Sequence, residues 1–446
     1  MVFIKIKLYL RKYFILIIFI YINLYNRLFD TPLYYNNNGY VLFTDKYIKK
    51  ILKNSIEDST LFDFDFIGVG FSRSMNNCFN RWGSIVNISN IFHGRSKFEL
   101  SDLYHNSFEP ILKGSENLFE NPLQKNEYLY VDGEIEPVYD LKRAGVIIGF
   151  DSSYKNNDFW KVTLRARLPV QQLSINNNRS WHSLIPYEEF IETIDDKPAK
   201  TNFNNEFVYN AASGLYKNGY KDYWSNYCIQ GIGDLNLELD YILNFLEDKL
   251  IFYGMFGLIL PTGIIENKLN YLSLPLNNNG HYELRLGSQI SYDLLSFCKL
   301  IFYGSYGYAF PAVESIISSY KGANAFNMQP TKTFVNISWN QVIFSADTIF
   351  EISSFFGFTF GYQFFHKGKD IINPIEEYNY DGVNEYNLLN YEFMESRSKR
   401  IANKARGSFY LNLVDCLQIE FGGDIIFYGY EIPQENEIYA RISYSY

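Results

Sequence analysis

From Thr60 onward the chain runs in segments of ten to fourteen residues whose apolar side chains alternate with polar or small ones, with clusters of Asn, Gly, Asp and Pro between them. A period of two sends successive side chains to opposite faces of an extended strand. The clearest case ends at Tyr241: Leu235, Leu237, Leu239 and Tyr241 share one face, and Asp234, Asn236, Glu238 and Asp240 the other. Lys161 to Leu168 sets Val162, Leu164, Ala166 and Leu168 against Lys161, Thr163, Arg165 and Arg167. Tyr282 to Tyr292 sets Tyr282, Leu284, Leu286, Ile290 and Tyr292 against Glu283, Arg285, Gln289 and Ser291, and Phe356 to Phe364 and Leu417 to Phe427 follow the same rule. Further strands are expected near 60–72, 127–137, 142–154, 248–261, 297–310, 331–346, 404–414 and 435–446, which makes thirteen. Three long interruptions, 74–126, 171–227 and 366–403, read as external loops or as segments folded into a lumen.

Such alternation suits two architectures. A water-soluble sandwich buries the apolar face, whereas a membrane barrel turns that face to lipid and the polar face to a lumen. Composition favours the barrel, because 19% of the residues are aromatic, with 39 Tyr and 39 Phe, types that belong in strands and at membrane interfaces. A mean hydropathy of -0.17 excludes a polytopic helical membrane protein, in which every span needs about twenty mainly apolar residues. The expected fold is all-β: a transmembrane antiparallel up-and-down β-barrel over residues 60–446. A closed single-chain barrel of the bacterial kind has an even number of strands, so thirteen resolves to about 12, with 14 as the alternative.

The N-terminus fits export. Lys5, Lys7, Arg11 and Lys12 precede the uncharged apolar run Tyr13 to Ile22, so residues 1–26 read as a signal peptide, with an uncleaved anchor as the other reading. Residues 27–59 are polar and Asn-rich and read as a flexible or luminal segment. Export and a barrel together place the protein in the bacterial outer membrane, with the lipid bilayer, the outer-membrane assembly machinery and a small-molecule solute as partners. The net charge of -9 argues against nucleic acid. Cys78, Cys228, Cys298 and Cys416 are too few and too scattered for a disulfide framework and read as packing residues.

The chain ends on an amphipathic strand in which Ile438, Ala440, Ile442, Tyr444 and Tyr446 alternate with Tyr439, Arg441, Ser443 and Ser445. An amphipathic final strand closing on an aromatic residue resembles the signal read by the outer-membrane assembly machinery, which implies that role for Ile442, Tyr444 and Tyr446. Further in, Gly233-Asp234-Leu235 opens one strand, and Tyr253 to Leu260 closes on Pro261-Thr262-Gly263. These thirty or so residues resemble the Gly-Asp-Leu and Leu-Pro-Thr-Gly pattern of the FadL-like and phenol-pathway outer-membrane transporters. The resemblance implies a barrel that lets small molecules, hydrophobic compounds among them, cross the membrane.

Chemistry of other kinds has few handles. His93, His105, His182, His281 and His366 form no metal-binding pair, and no Walker loop, dinucleotide fingerprint or serine elbow is present, so no catalytic residue, metal or cofactor is expected. His281 with Ser288 or Ser291 could suggest a barrel-borne lipase, but on one strand they stand about 24 to 34 Å apart at ~3.4 Å per residue. The acidic stretch Tyr378 to Glu385 lacks the ligand spacing of a calcium loop. The residues expected to carry function therefore line the lumen: Asp234, Asn236, Glu238, Asp240, Arg165, Arg167, Glu283 and Arg285. An Arg or Lys facing lipid near the midplane costs about 2–4 kcal/mol and an Asp or Glu somewhat less, which sends the charged residues inward, and alternation puts Asn236 on the same face. The expected function is passive or weakly selective passage of small molecules, and the alternative is a non-conducting structural or surface-adhesion barrel.

Overall fold

The computed structural model describes residues 61–75, 77–88, 98–99, 133–155, 160–183, 227–245, 249–264, 278–318, 331–375, 379–380, 383–384, 391–414 and 417–445. The expected signal peptide, the segment 27–59 and Tyr446 lie outside them.

Twelve long strands make the barrel: β1 Leu61–Met75, β2 Gly133–Lys155, β3 Trp160–Ser183, β4 Leu235–Phe245, β5 Leu250–Leu260 and β6 Glu283–Leu295, then β7 Cys298–Ser318, β8 Thr331–Glu351, β9 Phe356–Lys367, β10 Arg400–Val414, β11 Leu417–Tyr430 and β12 Asn436–Ser445. Each pairs antiparallel with the next, and β1 pairs with β12 from Asp63↔Ser445 to Arg73↔Asn436, which closes the ring. Closure leaves no edge strand, so no row of backbone N–H and C=O groups is stranded in lipid. Three short strands among the described residues extend this wall: Phe98–Glu99 pairs with β2, Tyr227–Ile232 with β3 and Ile371–Pro374 with β8.

Thirteen expected strands become twelve because the described part of 127–137, from Gly133 on, and 142–154 lie in one strand, 127–132 being outside the described residues. β2 pairs with β3 without interruption from Gly133↔Ser183 to Lys155↔Lys161. The break seen in the sequence is a change of phase within this strand. In its lower half Ile148 and Phe150 face out and Asp151 faces in; in its upper half Asp140 and Lys142 lie on the outward face and Tyr139 and Leu141 are buried inside. The same inversion in β3, where Leu173 and Ile175 are buried, explains why strand continues to Ser183 in a stretch that reads as a loop from 171 onward.

The connections differ at the two ends. The β2–β3, β4–β5, β6–β7, β8–β9 and β10–β11 links span only two to four residues and lie at one end, whereas the links between β1 and β2, β3 and β4, and β9 and β10 each exceed thirty residues and lie at the other. In outer-membrane barrels the short turns are periplasmic and the long loops extracellular.

The outer wall is apolar. Ile438 is 66% exposed and Phe360 61%, while Arg165 is 4% and Glu238 2% exposed on the interior face. Trp160 sits between Tyr154 and Tyr241, each ring centroid 6.1 Å away, at the short-turn end of the wall. On the β6 line the exposed Tyr282 and Tyr292 bound the apolar stretch. Ten residues measure about 34 Å along a strand and about 26 Å in height at a tilt of ~40°, which matches the ~25 Å band of a barrel in lipid. A water-soluble sandwich would invert this arrangement. The architecture is that of the bacterial outer-membrane barrels, apolar toward lipid and charged within.

Candidate functional site

The interior face carries its charges in rows that run across the strands. Following register partners from β2 to β10, one row reads Asp151, Arg165, Glu238, Gly257, Arg285, Gly307, Gln341, Lys367 and Arg400. A second runs from β8 round to β2 as Asp347, Gly361, Arg406, Asp424, Glu437, Ser72 and Arg143. An in-register barrel with a period of two per strand stacks every inward side chain into such rows, so acids and bases on different strands become neighbours.

The eight candidate residues are all buried on this face. Arg165 stands among three carboxylates: it is ion-paired with Asp240, its Nε lies 3.5 Å from Asp151 Oδ2, and its Nη1 lies 3.7 Å from Glu238 Oε2. Arg167 donates to Asp151 at 2.7 Å and to the carbonyls of Phe150 and Ala166. Asn236 donates to Glu238 at 3.0 Å. Glu283 receives Arg285 Nε at 2.5 Å and Asn278 Nδ2 at 2.6 Å, and Gln341 reaches it from β8 across the intervening strand. Asp234 stands apart from these pairs. Its carboxylate accepts the backbone N–H groups of Gly263 and Asn278, at 3.0 and 2.8 Å. Thr262 Oγ1 accepts from Leu235 N and donates to Gly233 O, so the Gly-Asp-Leu and Pro-Thr-Gly segments are clasped to each other at the mouth of β4 and β5.

Ion pairs that skip a strand need a gap in the middle one. Arg406 on β10 grips both carboxylate oxygens of Asp347 on β8, with Nε at 2.6 Å from Oδ1, and Gly361 of β9 lies beneath. A Cβ there would fall within contact distance of the Asp347 carboxylate, so the glycine is what lets the pair close. Arg143 meets Glu435, both buried, with Nε 3.2 Å from Oε2. Asp347, Arg406, Lys367 and Arg400 are further buried charged residues of the interior face that alternation along the chain did not single out. Their signal, a charge in an alternating strand, is visible only once the strand's inward phase is fixed.

An element of the first long interruption enters the lumen. Residues Asn77–Phe79 pair with Ile85–Asn87, and Ile432–Pro433 adds a third short strand. Asn80 makes the turn, its side-chain oxygen accepting from Trp82 N and Ser84 N at 2.8 and 3.0 Å, and Gly83 takes the positive φ of 74° that the turn requires. On one side of this hairpin Cys78, with Ile88, clusters with Tyr139, Leu141, Leu173 and Ile175 of β2 and β3. On the other side Phe79 clusters with Met255, Tyr303, Ile343, Phe365, Ala402 and Ile426, inward residues of six strands. The hairpin thus bridges the interior from wall to wall.

A short helix, α1 Tyr391–Ser398, also packs on the interior, Tyr391 lying against the buried cluster of Trp339 and Ile372. Its Glu395 accepts from Ile372 N at 2.7 Å and its Ser398 from Asp370 N at 2.6 Å. Burial in this link raises the Asp370 carboxyl pKa, against the pull of the neighbouring Lys367 ammonium. His281 is buried, its ring nitrogens 2.9 Å from Phe310 O and 2.7 Å from Glu314 Oε1, while Ser288 faces outward. Among the described residues no group of three or more His, Cys, Asp or Glu could hold a metal ion. Ile442 faces outward, exposed, and Tyr444 pairs through its backbone with Phe64 and Leu417.

No family model and no curated protein matches the chain. Solved structures similar to it include an outer membrane channel from Pseudomonas putida F1, at 9% identity and a TM-score of 0.45, covering 88% of this chain and 98% of that one. They also include the Pseudomonas putida toluene transporter TodX, at 6% identity, TM-score 0.32, and 87% and 90% coverage. A Pseudomonas aeruginosa FadL homologue is similar at 6% identity, TM-score 0.31, and 87% and 90% coverage.

Proposed function

We propose that the protein is a non-enzymatic outer-membrane passage for small molecules, held shut in this conformation by the hairpin of residues 77–88. The observation that carries the reading is the pair of charged rows on the interior face. Ionisable groups at membrane depth are expensive, and they mark solute pathways or relays where they occur. Buried Gln289 Nε2 and Ser291 Oγ, which meet no partner among the described residues, support a hydrated interior, since buried polar groups are otherwise satisfied. Carboxylates and guanidinium groups on facing strands would then screen solutes by charge rather than by a single contact. The segment 1–26 delivers the chain for export, and Ile442, Tyr444 and Tyr446 present its final strand to the assembly machinery.

The non-conducting alternative has its own support, because Phe79 and Tyr391 both fill interior volume with apolar packing. Planar-bilayer recording separates the two. The full-length protein is expected to open rarely, and replacement of residues 77–88 by a Gly-Ser linker is expected to give steady unit conductance with unchanged heat-modifiable migration. Silence of both proteins at all voltages would establish the structural reading instead.

A further inference from the structure

One large cavity of the described wall is on the outside of the barrel. It measures about 1390 Å³ and lies over seven consecutive strands, β9 to β12 and β1 to β3. Small outward residues, Ala144, Gly407, Gly423 and Ala440, form its floor, and Phe360 and Phe421 stand in its wall.

The upper edge of this groove is polar. Gln172 and Gln230 are register partners, both exposed on the outer wall. Gln172 is twelve residues from Trp160, about 41 Å along the strand and about 31 Å in height, which puts it at the extracellular headgroup level. One outward position higher, Arg73 and Lys142 are register partners held by a single carboxylate, Asp140, at 2.9 and 3.0 Å. Their side chains remain 45% and 35% exposed. Two cations on one acid leave net positive charge directly above an apolar groove that descends into the hydrocarbon.

We propose that this sector binds one lipid of the outer leaflet, its acyl chains lying in the groove and its phosphate held by Arg73 and Lys142, with Gln172 and Gln230 hydrogen-bonded to the linkage between them. The groove is continuous with the lipid-facing wall, so hydrocarbon is its solvent, and the cations supply the charge complement to a phosphate. Gln172 Nε2 donates to Cys228 Sγ at 3.5 Å, a weak acceptor, so polar atoms of the bound molecule at the headgroup level offer the two amides stronger hydrogen bonds.

Native mass spectrometry of the full-length barrel, released from detergent after incubation with palmitoyl-oleoyl phosphatidylglycerol or with the uncharged diacylglycerol of the same chains, tests this. The wild type is expected to retain one phosphatidylglycerol and about tenfold less diacylglycerol. The variant Arg73→Gln/Lys142→Gln is expected to lose that preference, and Ala144→Phe/Ala440→Phe to retain neither lipid. If the groove-filling variant does not fold, the charge variant, which alters only exposed side chains, decides alone. Equal retention of both lipids by the wild type and the charge variant would overturn the proposal, as would a lipid-free dimer seated on this wall.

Discussion

The two halves of β3 have opposite patterns. Near the short-turn end Leu164 faces lipid and Arg165 the interior, whereas above Gln171 the outward positions are Gln172 and Ser174 and the inward ones Leu173 and Ile175. β2 changes in step with it, from Phe150 out and Asp151 in to Lys142 out and Leu141 in. The strands are continuous; what changes is the medium on each side. Below the change the outer medium is lipid and the interior is a charged layer. Above it the outer medium is water and the interior is filled by Cys78 and Ile88 of the hairpin. Alternation therefore reports the two environments a strand separates, and a strand that leaves the membrane reverses its phase without breaking.

The difference between the halves can be broken from either side. The largest effect is expected at Arg165→Met, which leaves Asp151, Glu238 and Asp240 facing one another without their shared cation; stability should fall by about 3–5 kcal/mol, read from the urea midpoint of the refolded barrel in detergent. Removing a buried apolar contact above the change, Leu173→Ala, should cost about 3 kcal/mol by the same measurement, because the hairpin cannot collapse fully onto the gap. Leu164→Arg places a charge on the lipid side of the lower half and should cost about 2–4 kcal/mol, with a larger loss in vesicles than in detergent. Lys142→Leu, on the outward face of the upper half, should change stability by less than about 0.5 kcal/mol, since water is already the solvent there. A cost at Lys142 as large as that at Leu164 would remove the boundary between the halves.

A sharper version concerns the interior alone. Two residues along β8, β9 and β10 separate Gln341, Lys367 and Arg400 of the charged row from Ile343, Phe365 and Ala402 under Phe79. Glu238→Gln/Asp240→Asn in the hairpin-replaced protein should move the reversal potential toward anions, because Arg165 loses two of its three carboxylates. Unchanged selectivity with reduced stability would make these carboxylates structural partners only.

The barrel was legible where a strand's two faces meet lipid and the charged layer along its whole length. Leu235 to Tyr241, Tyr282 to Tyr292 and Leu417 to Phe427 are of this kind, and their alternation alone separates outward from inward residues. That is also why Asp234, Glu238, Arg165 and Arg285 could be named from the chain, since the cost of a charge in lipid depends on composition and phase rather than on neighbours. Four things depended on tertiary contacts. The merger of 127–137 with 142–154 needed the pairing to β3, because Tyr139 and Leu141 are apolar toward the inside only when Cys78 and Ile88 lie there to meet them. The hairpin itself is too short to stand out from a loop, and its Phe79 is buried as part of a cluster whose other members come from strands spread from residue 255 to 426 and from Ile432. The Asp347–Arg406 pair exists because pairing on both sides of β9 puts β8 and β10 either side of a glycine, a relation of three strands that no local pattern carries. Asp234, which looks like its alternating neighbours in sequence, is instead tied to two backbone N–H groups from a later loop. Sequence fixes which medium each face prefers, through the transfer cost of single side chains; the partners, which arise from chain closure over long separations, are decided only when the sheet shuts.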